Sequence, residues 1–210
     1  MAIAGGFSDQ LALGAPPLVS QSTMSGGYNG FWATLEPGDG SPIAVHRFGG
    51  TTFDLANTIN ATPDGALRIG GQLSGTSVVG GMTATALTNG SAFIAEVTTG
   101  GAARWVRVID GRGIVFGADI NAAGRTFAAG RLDGATSDSI LASVGADGVL
   151  TLPLRIPTGE SNGAVAAAAD RHGGVWVAGE LVGSANFGTG PSITSPSPQE
   201  PTNYLLHLEP

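Results

Sequence analysis

Apolar side chains in this chain alternate with polar or very small ones over short runs, and the period is two. The runs are Ala2–Phe7, Phe31–Leu35, Ile43–Phe48, Ala56–Ala61, Ala66–Leu73, Ala92–Val97, Ala103–Ile109, Gly117–Ala122, Thr126–Leu132, Ser139–Val144, Leu150–Ile156, Ala164–Ala169, Val175–Leu181 and Tyr204–Leu208. Alternation of this kind predicts β-strands with one face buried, because successive side chains of a strand point to opposite faces. Gly, Asn, Asp and Pro punctuate the runs, as turns between strands require.

The runs also repeat. Ala4-Gly5-Gly6-Phe7 returns as Gly70-Gly71-Gln72-Leu73, Ala129-Gly130-Arg131-Leu132 and Ala178-Gly179-Glu180-Leu181, at intervals of 66, 59 and 49 residues. A second phrase recurs between these copies: Phe31-Trp32-Ala33-Thr34-Leu35, Phe93-Ile94-Ala95-Glu96-Val97, Ile140-Leu141-Ala142-Ser143-Val144 and Tyr204-Leu205-Leu206-His207-Leu208. A third marks hairpin turns at Asn60–Gly65, Asn121–Gly124 and Asp170–Gly173, where an Asx side chain bonds the backbone and Gly takes the left-handed conformation. Self-similarity at this spacing marks a stacked or radial repeat array. The span from the second phrase to the next glycine phrase is nearly constant. The span from the glycine phrase to the second phrase varies, so residues 8–30, 74–91 and 182–203 read as loops free to carry function.

Four antiparallel strands per period describe a β-propeller blade, with a β-solenoid as the rival. The expected fold is therefore all-β: a propeller repeat array of four-stranded antiparallel blades, about three and a half of them. The boundaries are a half blade over 1–35 and blades over about 36–97, 98–144 and 145–210 of one repeat region. Gly5, Gly71, Gly130 and Gly179 are expected at equivalent positions in successive sheets.

Composition narrows the chemistry. Glycine supplies 35 of 210 residues, apolar residues 42% and charged residues 12%, a turn-dense globular balance rather than a disordered one. The net charge is −7, and all nine basic residues are scattered arginines, which argues against a nucleic-acid stripe. With no cysteine, disulfides, thiolate metal sites and a cysteine nucleophile are excluded. No apolar run is long enough for a membrane-spanning helix. His46, His172 and His207 lack metal-ligand spacing, and no acidic run resembles a calcium loop, so no metal or cofactor is expected.

One catalytic pattern is present on paper. Gly159-Glu160-Ser161-Asn162-Gly163 fits the G-x-S-x-G nucleophile elbow, which also needs a helix after the serine. Its repeat register instead makes Ala164–Ala169 a strand, so a turn between strands is the preferred reading. Gly111-Arg112-Gly113 and Gly80-Gly81 lack the Lys-Ser/Thr of a phosphate loop. Among the aromatics, Trp32 and Trp105 read as packing residues. Tyr28, in a variable loop, Trp176, in register with Phe127 and Arg68, and Phe187, in the last loop, are the candidate ligand contacts. The presence of Arg68 in that register is taken to mean a position that is not deeply buried.

Strands ending in A-G-x-[FL], the loop Asn186-Phe187-Gly188-Thr189-Gly190-Pro191, the closing strand Tyr204–Leu208 and the strand end Arg47-Phe48-Gly49-Gly50 resemble bacterial seven-bladed β-propeller repeats of large cell-surface and secreted proteins. That resemblance implies a non-catalytic scaffold, extracellular or in the cell envelope, that displays variable loops to a protein or glycan partner. The alternative is a propeller enzyme, a lyase, hydrolase or quinone-dependent dehydrogenase, that uses the central funnel. Neither nucleic acid nor a membrane-spanning segment is expected. The first run lacks its hairpin partner, and Leu208-Glu209-Pro210 matches Leu35-Glu36-Pro37 in mid-repeat. The chain accordingly reads as part of a longer propeller, with its export signal elsewhere and its open edges met by the rest of the parent or by a second copy.

Overall fold

The computed structural model of the protein describes residues 1–134, 137–157, 163–187, 192–197 and 200–209. Among these residues the regular structure is strand and turn, with no helix, and every predicted run forms a strand. In chain order the strands are β1 (Ala2–Phe7), β2 (Gln10–Leu11), β3 (Leu18–Val19), β4 (Asn29–Leu35), β5 (Pro42–Phe48), β6 (Leu55–Ala61) and β7 (Leu67–Leu73). They continue as β8 (Thr76–Val79), β9 (Met82–Thr85), β10 (Ser91–Val97), β11 (Ala103–Val108), β12 (Arg112–Ile120), β13 (Thr126–Asp133) and β14 (Ser137–Val144). The last are β15 (Leu150–Pro157), β16 (Ala164–Ala169), β17 (Val175–Leu181), β18 (Ser184–Ala185), β19 (Ile193–Thr194) and β20 (Thr202–Leu208).

The chain divides into two units, Met1–Asp110 and Gly111–Pro210. The first holds a three-stranded sheet, β1-β4-β5, and a four-stranded sheet, β6-β7-β10-β11. The second holds a four-stranded sheet, β12-β13-β14-β15, and a three-stranded sheet, β16-β17-β20. All neighbours are antiparallel. The small hairpins β2-β3, β8-β9 and β18-β19 are inserted between strands of three of these sheets.

Strand grouping differs from the sequence expectation by one strand. The sequence period groups Ile43–Phe48 with the three runs that follow it, yet β5 pairs with β4, through Trp32↔His46 and Ala33↔Val45. Likewise β11 joins β10 and β15 joins β14. The cause is the tight turn before each of these strands. Glu36 N–H donates to the Ser41 carbonyl, Thr98 N–H to Ala102 and Gly145 N–H to Val149, so the chain folds straight back on the strand it has just left. The sheets therefore occupy 2–48, 55–108, 112–157 and 164–208, not the periods 36–97, 98–144 and 145–210.

The repeated glycines do share one place in their sheets. Gly5 stands opposite Phe31, Gly71 opposite Phe93, Gly130 opposite Ile140 and Gly179 opposite Tyr204. On the other side, three of them face a β-bulge, in which the neighbouring strand carries one extra residue: Asn57, Phe116 and Val165. The bulge pushes a carbonyl toward the glycine. A Cβ on Gly71, Gly130 or Gly179 would collide with the carbonyl oxygen of Leu55, Ile114 or Gly163, which are equivalent residues. Glycine is thus required by close backbone approach.

The hairpin turns that lead into these strands also share one design. Thr62, Asn121 and Asp170 each accept a backbone bond from a left-handed glycine three residues on, Gly65, Gly124 and Gly173. Asn121 Oδ1 accepts the N–H groups of Ala123 and Arg125, and Asp170 Oδ1 those of His172 and Gly174. In the first copy the organising side chain is Thr62 rather than Asn60, whose amide bonds Thr58.

Each unit has its own core. In the first, Trp32 and Phe48 of the first sheet pack with Leu67, Ile69, Phe93, Ala95 and Val97 of the second. In the second, Phe127, Ala129 and Leu141 pack with Val175, Val177, Leu181 and Tyr204. Arg68 overturns the expectation attached to its register, being only 3% exposed. Glu96 lies directly across the strand pair, 2.8 Å away, and the Trp105 ring covers the guanidinium at 5.1 Å. Arg68 is buried because its charge is paired and stacked.

Candidate functional site

Tyr28 stands where the first variable loop enters β4. It is 38% exposed and meets Phe53 edge to face at 5.3 Å between ring centroids. Two buried polar side chains hold the loops around it. Asn29 accepts the Gln21 N–H at 2.6 Å and donates to the Gly50 carbonyl at 2.9 Å. Asp54 accepts from Gly50 N–H, Ser74 N–H and the Ser77 hydroxyl at 2.9, 3.1 and 2.6 Å, while its own N–H donates to the Tyr28 carbonyl. Three loop segments, 20–29, 49–54 and 74–78, are thereby tied to one another. Tyr28 sits on a fixed platform rather than a free loop.

Beside this platform, a cleft of 490 Å³ runs along the outer edge of β5. Trp32, His46 and Arg47 line it, with glycine turns at Gly80, Gly81 and Gly101. Gly101 leaves room for the His46 ring, which a Cβ there would strike. A nitrogen of that ring lies 3.2 Å from the Thr99 carbonyl, and the ring leans on Trp32 at 5.2 Å. The Trp32 indole N–H is buried with no acceptor among the described residues. Burial pushes the Arg47 guanidinium below its ordinary pKa, yet it forms no ion pair among the described residues. Both titratable groups of this cleft are bases, so it suits a hydrogen-bond acceptor or a carboxylate.

In the second unit Trp176 is 43% exposed and stacks on His207, its cross-strand partner, at 4.3 Å. His207 Nε2 lies 2.7 Å from Asp170 Oδ2, and Nδ1 lies 3.4 Å from Glu209. The bond to His207, with the backbone donors of His172 and Gly174, holds the Asp170 carboxyl below its ordinary pKa. The result is a rigid, half-open aromatic surface framed by acids. Phe187 is placed differently from the other two candidates. It is half-buried and packs on Tyr204 at 5.0 Å, at the margin of the second core.

Tyr28 belongs to the first unit, and within the second Trp176 and Phe187 have separate ring partners, His207 and Tyr204. His46, Arg47 and Asp54 are not among the residues that the sequence pattern singles out as ligand contacts. The only available signal was the strand end Arg47-Phe48-Gly49-Gly50, whose glycines allow loops to close over a strand edge. The serine of the G-x-S-x-G pattern lies outside the described residues, as do Gly188–Pro191. Residues Ala164–Ala169, where an elbow needs a helix, form strand β16. Among the described residues, no three His, Asp or Glu side chains converge as a metal site. No helix among them is long and apolar enough to cross a membrane. The chain matches no protein-family model and no curated protein. Its function is therefore argued from its own geometry.

Proposed function

We propose that this protein is a non-catalytic β-propeller repeat scaffold that presents its inserted hairpins to a protein or glycan partner, at the cell surface or outside the cell. The observation that carries this reading is where the insertions fall. Hairpins β2-β3, β8-β9 and β18-β19 all leave the sheets at one recurring connection, between the strand of the repeated glycine and its next neighbour. The third copy, β13 to β14, makes the same connection with only a short link. A rigid unit repeated with variable insertions at one connection is how a repeat fold separates stability from recognition. Tyr28 on its pinned platform and the β5 cleft are the contact features of the first unit, and Trp176 is that of the second.

The test is an array of glycans and peptides probed with the whole chain, followed by Val78→Ser and Met82→Ser substitutions at exposed side chains of β8-β9. Loss of the selected ligand with an unchanged far-UV spectrum is the expected result. Binding that survives these changes and the Tyr28→Ala substitution, but disappears on mutating sheet residues, would overturn loop display.

A further inference from the structure

Trp32, Ile94, Leu141 and Leu205 occupy one position in the four sheets, each following the residue opposite a repeated glycine. Trp32 is 0% exposed, and Ile94 and Leu141 are 1% exposed, but Leu205 is 65% exposed. It is not isolated. Trp176 at 43% and Val165 at 46% lie beside it, with Ala166 and Ala178 between them across the strands. The corresponding faces of the first and third sheets are covered in their own units. Trp32 lies under Ile69, Phe93 and Ala95, and Leu141 with Phe127 lies under Val177 and Tyr204.

We infer that the exposed face of the fourth sheet docks the first sheet of a second copy of this chain. The covering sheets present matching cross-strand pairs, Ile69 with Ala95 and Val177 with Leu206, next to Phe93 and Tyr204. The first sheet carries the same set: Ile3 pairs with Ala33, next to Phe31. Ile3 and Phe31 are only half-buried, and Met1 at the end of this row is 65% exposed. Charge favours this pairing over two fourth sheets meeting face to face. Asp170 and Glu209 frame His207, and Glu180 stands exposed on β17, so like faces would bring acids together. The first sheet instead brings Arg47, opposite Phe31, which has no ion pair among the described residues. The contact is head to tail, so copies either close into a ring or grow as an open array.

This inference rests on the repeat reading for the equivalence of the sheets, but it fails separately, because its readouts are self-association and a crosslink between named strand positions rather than ligand binding. Sedimentation velocity of the whole chain over a concentration series is expected to show self-association, and Leu205→Glu to weaken it by about tenfold or more. Far-UV spectrum and melting temperature of that variant should stay unchanged, since the side chain is exposed. The chain contains no cysteine, so Leu205→Cys and Ile3→Cys proteins can be mixed and oxidised. A dominant crosslink between positions 205 and 3 supports the docking. A monomer at every soluble concentration, an association indifferent to Leu205→Glu, or a dominant 205–205 crosslink would each overturn it, whatever the ligand array shows.

Discussion

One absent methyl group sets how closely two strands approach at Gly130. A Cβ there would strike the Ile114 carbonyl and stand 3.1 Å from the Val115 Cα, both backbone atoms that a rotamer change cannot move. Gly130→Ala is expected to cost about 1–3 kcal/mol, as overpacking does. Gly38→Ala, where nothing lies within 4 Å of the added atom, should stay within about 0.5 kcal/mol of the parent. Urea denaturation of the two variants checks the contrast, and equal effects would contradict the bulge argument. Arg68 shows the limit of reading single residues. An arginine in a strand suggests exposure until its partner is known, and Glu96 lies 28 positions away in the chain. The same distance problem hid the loop platform. Asp54 takes its donors from Ser74 and Ser77, 20 and 23 positions on, and no local pattern announces such a bond. Exposure of Tyr28 was legible because Gly and Ser crowd its loop, but the platform that orients it was not.

At the scale of the element, strands were legible and their partners were not. A period of two reports which face is buried and is silent on which neighbour completes the sheet. Turn closure decided that for β5, β11 and β15. The two-residue strands of β2-β3 and β18-β19 are too short for any alternation to register. Turn chemistry also carries a pH signature. Asp64 is held at about 2, below its ordinary 3.8, by the Thr62 hydroxyl first and then by Arg104. Its folded pKa lies below the unfolded one, so its stabilisation is full above about pH 4 and drains away as pH falls toward 2. Asp64→Asn should therefore flatten the loss of stability between pH 4 and 2 while changing little on further acidification. Denaturant midpoints measured across that window test this, and parallel curves for parent and variant would count against it.

At the scale of the whole molecule, each unit encloses a core of its own, with Trp32, Phe48 and Phe93 at the centre of one and Leu141, Val177 and Tyr204 in the other. Residues 1–110 are about the size of an ordinary domain. Expressed alone they are expected to keep a strand-type far-UV spectrum and unfold cooperatively, whereas a broad, non-cooperative melt would show that the unit needs the rest of the chain. The one-strand offset between sequence period and sheet bears on how such a chain can be lengthened or shortened by recombination. A breakpoint at a hairpin turn such as 36–41 gives one sheet the closing strand of another copy, so the pairing along that edge strand is remade. A breakpoint in 49–54 instead moves whole sheets, each with the closing strand it already pairs with.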